Sequence, residues 1–469
     1  MRVDPYTRPP VPPQVALLTQ DGVIVSEHGE RLEPDDWPKG TRCWSDSETV
    51  AQLVADGNGE ALCWDHQPIR WRPERYEEAW RTRPSDVYVL RFPGDLFAGR
   101  PETTLRGLAA WRDWLGRWDA APTGTSGSSA WSLLKATLDR PLFCSKGVCP
   151  PLKGTLGGRF ELGPAGQGSF EGALRLFDLE AAYAREIAGL RYGGWWRDRA
   201  DVGGDPELWS ARGGMVFVRA RIRLAGGWPG PLVRRPRRRM TYLEQHLWQL
   251  VEQRYPTTGV IQGVWTWQEV CAAVRQGARL LRVLDFWVHW SGRKPFEAWW
   301  RAIEEGRRLP GLAGTLGKVT GNALWGRFCM DPFVSNGGRY IRSQRGAKVE
   351  IRGLPVKGGL APAHDLAETV SGRVRARLYE LEAAAGERLL SAHTDGAWIR
   401  DPEADVDGWR LKQAARRLDP IDPQTLRYWS DPGKPWDPVP VVAGWPGQDA
   451  GAEFDRRWQA MLSDRELAA

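Results

Sequence analysis

Leu176-Phe177-Asp178-Leu179-Glu180-Ala181-Ala182-Tyr183 is the stretch on which the fold turns. The apolar run up to Phe177 predicts a strand that delivers one carboxylate, Asp178, and then gives way to a helix carrying Tyr183. A lone acid at a strand end is common, so its meaning depends on two later stretches. Lys318-Val319-Thr320-Gly321-Asn322-Ala323-Leu324-Trp325-Gly326 sets Lys318, Asn322 and Trp325 on one helical face, at i, i+4 and i+7. Leu389-Leu390-Ser391-Ala392-His393-Thr394-Asp395-Gly396-Ala397-Trp398-Ile399 reads apolar–polar–apolar, a hairpin with a second acid, Asp395, at its tip. Two carboxylates from separate segments can hold a pair of Mg²⁺ ions, and a lysine can take a triphosphate. Those are the parts of nucleotidyl transfer.

Composition sets the bounds. The 469 residues, 42% hydrophobic and 26% charged, describe a globular chain of two to four subdomains. A net charge of +7 suits a polyanionic partner without requiring one. No apolar run approaches the roughly 18 residues of a membrane span, and the proline-rich start lacks a signal-peptide core. A soluble, cytoplasmic protein is expected. Six cysteines make no disulfide framework in a chain this long. Cys144 with Cys149, and Cys63 with His66, lack zinc-site spacing and read as thiols. The 27 tryptophans read chiefly as core, with base stacking open to some of them.

Along the chain, residues 15–18 and 23–25 flank Asp21-Gly22 as a hairpin, and 105–118 and 129–138 read as helices. Asp46-Ser47-Glu48 has a metal-binding form, yet reads better as the first turn of a surface helix over 45–54. Between 216 and 224, Val218, Ala220, Ile222 and Leu224 alternate with Arg219, Arg221 and Arg223, a half-buried strand with a basic outer face. Arg234, Arg235, Arg237, Arg238 and Arg239 follow, as a solvated loop or a phosphate patch. A helix opens at 296–303. Gly311, Gly314, Gly317 and Gly321 then imply close approach by another backbone or a nucleotide. A short strand is expected at 348–351. A helix over 365–387 presents Leu366, Val370, Val374, Leu378 and Leu381 as its buried stripe.

The three acid- and lysine-bearing stretches, in this order, resemble motifs A, B and C of family B DNA polymerases, above all the small protein-primed bacteriophage replicases. Asp178 and Tyr183 match motif A (Asp-x-x-Ser-Leu-Tyr-Pro). Lys318, Asn322 and Gly326 match motif B (Lys-x-x-x-Asn-Ser-x-Tyr-Gly), with Ala323 for Ser and Trp325 for Tyr. Thr394 and Asp395 match motif C (Tyr-x-Asp-Thr-Asp-Ser), whereas Ser391, His393 and Gly396 depart from it. The likeness runs from about residue 155 to the C-terminus.

The resemblance implies an α+β right-hand polymerase with palm, fingers and thumb, and a reduced, exonuclease-like N-terminal domain without proofreading. The implied boundaries are 1–150 for that domain, 151–290 for the first part of the palm and 291–330 for the fingers. Residues 331–410 would hold the second part of the palm with an insertion around DNA, and 411–469 the thumb. Asp178, Asp395 and the Leu179 carbonyl would hold Mg²⁺ or Mn²⁺. Lys318, with Arg307 and Arg308, would grip the triphosphate, Asn322 and Trp325 would shape the nascent base pair, and Tyr183 would lie under the sugar and select deoxynucleotides. A core role for Trp325 and a plain buried ring for Tyr183 stay open.

Thr155-Leu156-Gly157-Gly158-Arg159-Phe160 is similar to the Tyr-x-Gly-Gly segment ahead of motif A, so Gly157, Gly158 and Arg159 are candidate DNA contacts; an ordinary turn is the other reading. Arg427 and Tyr428 stand where the family has a Lys-x-Tyr element at the primer end. Implied partners are primer–template DNA, deoxynucleoside triphosphates and a terminal or priming protein, with no membrane. His393 replaces an acid, which implies reduced activity or an altered metal preference. Two other functions remain open: a degenerate, DNA-binding accessory protein, and a primase-like enzyme that needs no primer.

Overall fold

Phe170–Asp178 is the middle strand of the sheet that carries both acids, with Leu174 on one face and Phe177 on the other. The computed structural model describes residues 101–122, 126–139, 150–152, 156–193, 196–234, 255–329, 364–401, 408–422, 425–430, 439–442 and 447–468, and short segments within 16–91 and 340–353. The chain is mixed helix and sheet and forms two units. One comprises residues 1–141, 296–327 and 332–360, the other 142–295, 328–331 and 361–469.

In the second unit, β8 (Arg159–Leu162), β9 (Phe170–Asp178), β16 (Leu389–Thr394), β17 (Gly396–Arg400), β18 (Arg410–Asp422), β19 (Thr425–Ser430) and β20 (Val439–Val442) form one antiparallel sheet. Its order is β20-β19-β18-β9-β17-β16-β8, so the C-terminal strands continue the acid-bearing sheet directly. On one face Phe177, Ala392, Ala397 and Ile399 pack against Leu378 and Leu381 of the His364–Ala385 helix. The expected stripe of that helix, Leu366 through Leu381, is buried throughout. The opposite face gathers Phe170, Leu174, Leu390, Trp398, Leu418 and Leu426.

A second antiparallel sheet holds β10 (Trp196–Asp198), β11 (Met215–Arg223), β12 (Val260–Thr266) and β13 (Arg279–His289), ordered β10-β13-β11-β12. Its inner face, Val216, Val218, Ala220 and Ile222 among others, packs on Val270 and Ala273 of the Trp267–Arg275 helix. Ala272 of that helix then meets Ala376 and Tyr379 of the His364–Ala385 helix. The Trp267–Arg275 helix thus links the second sheet to the His364–Ala385 helix, and that helix links on to the first sheet. A capping box starts the Trp267–Arg275 helix, Thr266 accepting from the Glu269 N–H while Glu269 accepts from the Thr266 N–H.

In the first unit, β1 (Ala16–Leu18), β2 (Ile24–Ser26), β3 (Arg31–Leu32), β4 (Thr41–Ser45), β5 (Leu62–Trp64), β6 (Gln67–Pro68) and β7 (Val87–Arg91) form a sheet with parallel β1–β4, β4–β7 and β5–β7 pairs. The Asp21-Gly22 hairpin corresponds to the β1–β2 pair. Ser45 closes β4, its backbone in the β4–β7 ladder; the remainder of the helix expected over 45–54, with Asp46 and Glu48, lies outside the described residues.

The Pro101–Arg117 helix donates indole N–H bonds from Trp111 to Thr320 Oγ1 (3.3 Å) and from Trp114 to the Ala302 carbonyl (3.1 Å). These tie it to the Gly311–Cys329 and Glu297–Arg307 helices. A Cβ on Gly317 would fall 2.5 Å from the Gly306 carbonyl, so this glycine admits another backbone. Beyond the expected strand near 348, β14 (Tyr340–Arg345) pairs with β15 (Lys348–Gly353) as a hairpin.

Candidate active site

The site is made by register. Gly396 of β17 stands opposite Asp178 of β9, which sets Asp395 beside the Asp178 end of its neighbour strand. The Leu179 N–H donates to the Asp395 carbonyl at 2.9 Å, stitching the two loops together just past the ladder. Both carboxylates are half-buried at the sheet's end. Burial and then the Asp178 charge push the Asp395 carboxyl above its usual range, against a 2.8 Å bond from Thr394 Oγ1.

Strain gathers around this pair. Thr394, the first residue of the hairpin turn, has φ +54°, and Ala181, three residues after Asp178, has φ +53°. A β-branched residue rarely adopts this conformation, and such strain concentrates at functional sites.

Lys412 completes the cluster and was not legible in the sequence. Its Nζ lies 3.3 Å from Asp178 Oδ1. Leu411 pairs with Phe177 and Gln413 with Leu176, so Lys412 is the extra residue of a β-bulge. Bulges re-aim side chains beside active sites, and nothing in the alternation of 410–422 announces this one. His393 stands exposed at the end of β16, edge-on to the Phe160 ring at 5.0 Å. The crowding of surrounding protein and then the Lys412 charge lower its imidazole pKa to about 4, so it is neutral at physiological pH.

Two carboxylates and an adjacent carbonyl suit Mg²⁺ or Mn²⁺ held by one or two acids and completed by substrate phosphates. Among the described residues no group of three or more His, Cys, Asp or Glu side chains could form an all-protein cage. Two carboxylates set side by side by register, with Lys412 drawn onto Asp178, make a site of net negative charge that fits a cation. Asp178, Asp395 and the Leu179 carbonyl, which also accepts from the Ala182 N–H at 3.2 Å, are the groups available to hold one.

Other expected residues are placed as follows. Tyr183 is buried in the Ala182–Ala188 helix, its hydroxyl pKa raised by burial and then by Asp395. Gly157, Gly158 and Arg159, expected as DNA contacts, are buried. Arg159 is wholly enclosed, its guanidinium taken by Glu382, Glu161 and the Gly230 carbonyl and stacked on Tyr255. The Leu156 and Gly157 carbonyls accept from Arg375 at 3.0 and 2.9 Å.

A Cβ on Gly158 would fall 2.5 Å from Thr394 Cα and 2.8 Å from Tyr183 Oη. Gly158 thus admits the close approach of the hairpin turn. Burial of opposite charges on Arg159, Glu161 and Glu382 explains why the basic residue faces inward. Thr155 lies outside the described residues, as do Arg235 and Arg237 to Arg239.

Arg427 pairs with Asp455 at 2.7 Å and stacks on Phe454 and Trp429, and Tyr428 is half-buried beside Trp398. In the first unit, Lys318 and Asn322 are exposed on one face of the Gly311–Cys329 helix, opposite buried Ala313, Leu316, Thr320 and Leu324, with Trp325 half-buried. Arg307 is half-buried and Arg308 exposed at the end of the Glu297–Arg307 helix. Among the described residues no helix is long and apolar enough to cross a membrane.

No family model and no curated protein matches the chain in sequence. Solved structures do match it in fold. Phi29 DNA polymerase complexed with primer-template DNA and incoming nucleotide substrates superposes with a TM-score of 0.59 at 10% identity, over 94% of each chain. The same polymerase complexed with single-stranded DNA gives 0.58 at 11% identity, again over 94% of each. An orthorhombic crystal form gives 0.55 at 13% identity, covering 82% of this chain and 67% of that one. The chain therefore shares a DNA polymerase-like fold.

Proposed function

We propose that the chain is a DNA-directed DNA polymerase that extends a primer by two-metal nucleotidyl transfer, without proofreading. One observation carries the reading: the Gly396–Asp178 register sets two half-exposed carboxylates side by side, in a chain with a polymerase-like fold. In this reading the acid-bearing sheet is the palm, the paired helices at 297–329 are the fingers, and the C-terminal strands and helix lead into a thumb. Primer–template DNA and deoxynucleoside triphosphates are the substrates.

Bound divalent ions would make the primer hydroxyl a better nucleophile and neutralise the departing pyrophosphate. Asp178 and Asp395, with the Leu179 carbonyl, hold that charge where the two strand ends meet. Lys412, 3.3 Å from Asp178, would yield that carboxylate to a bound cation. Tyr183, wedged against Gly158 and Thr394, fixes the floor on which the sugar rests. Lys318, Asn322, Arg307 and Arg308 serve the triphosphate and the nascent base pair, and Arg427 and Tyr428 the primer end.

Primer extension by wild type, Asp178→Asn and Asp395→Asn tests this, alongside Mn²⁺ binding followed by electron paramagnetic resonance. Even outer-shell changes at metal sites cost about 10–100-fold, so each variant is expected to lose more than about 100-fold in extension and to bind Mn²⁺ more weakly. Undiminished extension in both variants would sink the proposal. A second reading, a DNA-binding accessory protein of polymerase descent, draws on Lys412 at Asp178 and on His393 in an acid's place. It predicts DNA binding with no extension by wild type at any Mn²⁺ concentration.

A further inference from the structure

The outer face of the β10-β13-β11-β12 sheet carries a ladder of arginines that the acid pair does not use. Arg221 stands directly opposite Arg282, and Arg223 directly opposite Arg279. All four are exposed, and among the described residues none has an acidic partner. Arg219, the next rung, differs: it faces Asp285 and lies 5.6 Å from the centre of the Trp287 ring. Like charges directly opposite on adjacent strands destabilise a sheet.

The arrangement depends on two irregularities in β13. The register skips Leu284 between Asp285 and Val283, and skips Leu281 between Arg282 and Leu280. Those bulges keep Val283 and Leu280 packed on the inner core while turning Arg282 and Arg279 outward. Without the second skip, Arg223 would face Leu280 instead of Arg279. The fold thus sets four exposed arginines in two directly opposed pairs on one face.

We infer that this face binds the sugar–phosphate backbone of a nucleic-acid strand, as a second contact surface made of residues outside the acid pair. Successive rungs on one strand, two residues apart, are about 7 Å apart, close to the separation of neighbouring phosphates. Each rung offers two planar forks, the geometry that suits phosphate oxygens. The inner side of this sheet packs on the Trp267–Arg275 helix, and that helix on His364–Ala385. The ladder shares no residue with the acid pair, and the inference goes beyond the polymerase reading without resting on catalysis.

The test is fluorescence anisotropy of a labelled primer–template duplex titrated with the full chain at several salt concentrations. It compares wild type with Arg221→Gln/Arg223→Gln/Arg279→Gln/Arg282→Gln, with Mn²⁺ binding followed in parallel. The magnitude of the log–log salt slope is expected to fall by about 3 to 4, near 0.9 for each phosphate that is no longer neutralised. Mn²⁺ binding should stay unchanged, and the melting temperature should hold or rise as repulsion is relieved. An unchanged salt slope would overturn the inference, as would binding of anionic phospholipid vesicles but not the duplex. A lowered melting temperature would also overturn it, by showing that the arginines are structural. Failure of primer extension alone would strike the polymerase reading and leave this one standing.

Discussion

Lys412 holds its ammonium 3.3 Å from the Asp178 carboxylate, across the boundary between neighbouring strands β18 and β9. The same charge bears on Asp395, lowering a carboxyl that burial and Asp178 raise. A cation entering between the acids must displace it. Removing one unit charge at this distance in a solvent-washed site is worth about 1 kcal/mol. Lys412→Met should therefore tighten Mn²⁺ binding about fivefold, measured by calorimetry. An affinity equal to or weaker than wild type would show that the lysine does not compete.

Gly158 gives a steric test. Its substitution by Ala would drive a methyl into the Thr394 backbone and the Tyr183 hydroxyl. Overpacking of this kind costs about 1–3 kcal/mol, more than the ~0.4–1 kcal/mol that Gly→Ala returns through the unfolded chain. Urea unfolding of Gly158→Ala should show net destabilisation together with weaker Mn²⁺ binding. A more stable variant would mean that the hairpin turn has room to move.

Arg375 is the keystone beneath the site. It is buried, bonded at 2.8 Å to Glu269 and also to Glu368, and it holds the Leu156 and Gly157 carbonyls. Removing one partner of a buried ion pair leaves the others uncompensated, at a cost of about 3–5 kcal/mol. Arg375→Met should lose that much in urea unfolding, whereas Arg221→Gln, on the exposed sheet face, should stay within about 0.5 kcal/mol of wild type. Equal losses would contradict the network.

Thr394 carries backbone strain of about 1–3 kcal/mol at φ +54°. Thr394→Gly removes that strain but also the 2.8 Å bond from its hydroxyl to Asp395. The glycine variant should melt at a higher temperature yet bind Mn²⁺ less tightly, since Asp395 is no longer oriented. A lower melting temperature would show that the hydroxyl bond outweighs the strain.

Asp365, outside the acid pair, supplies a pH dependence of its own. Burial raises its carboxyl above the usual range despite a 2.6 Å bond from the Trp196 indole. A raised carboxyl favours the protonated folded form, so its contribution is present below the unfolded pKa of about 3.9 and is lost as pH rises through the folded value. Wild type should therefore lose stability relative to Asp365→Asn as pH is raised from about 4. Parallel stability–pH curves for the two proteins would contradict that sign.

The sequence by itself determined the local elements and their order. The alternation in 216–224, the stripe on the 365–387 helix and the strand–acid–helix run at 173–190 are short-range patterns. A backbone with one buried face has to honour them, and the structure contains elements at each place. Which side chains meet was a different matter. The approach of Asp395 to Asp178 follows from a pairing register between segments more than 200 residues apart, and Lys412 joins them only through a bulge.

Arg159 shows the limit most clearly. Beside two glycines it reads as a basic contact for phosphate, yet Glu161 and Glu382 enclose it inside the unit. Arg221 and Arg282 show the reverse, with the sequence presenting one arginine-bearing strand and the bulges of its neighbour creating the ladder. Periodicity fixes which face of an element is apolar, because burial is decided residue by residue along one strand or helix. Charge partners and register are settled by long-range packing, where desolvation and cross-strand geometry act on residues that the linear order keeps apart.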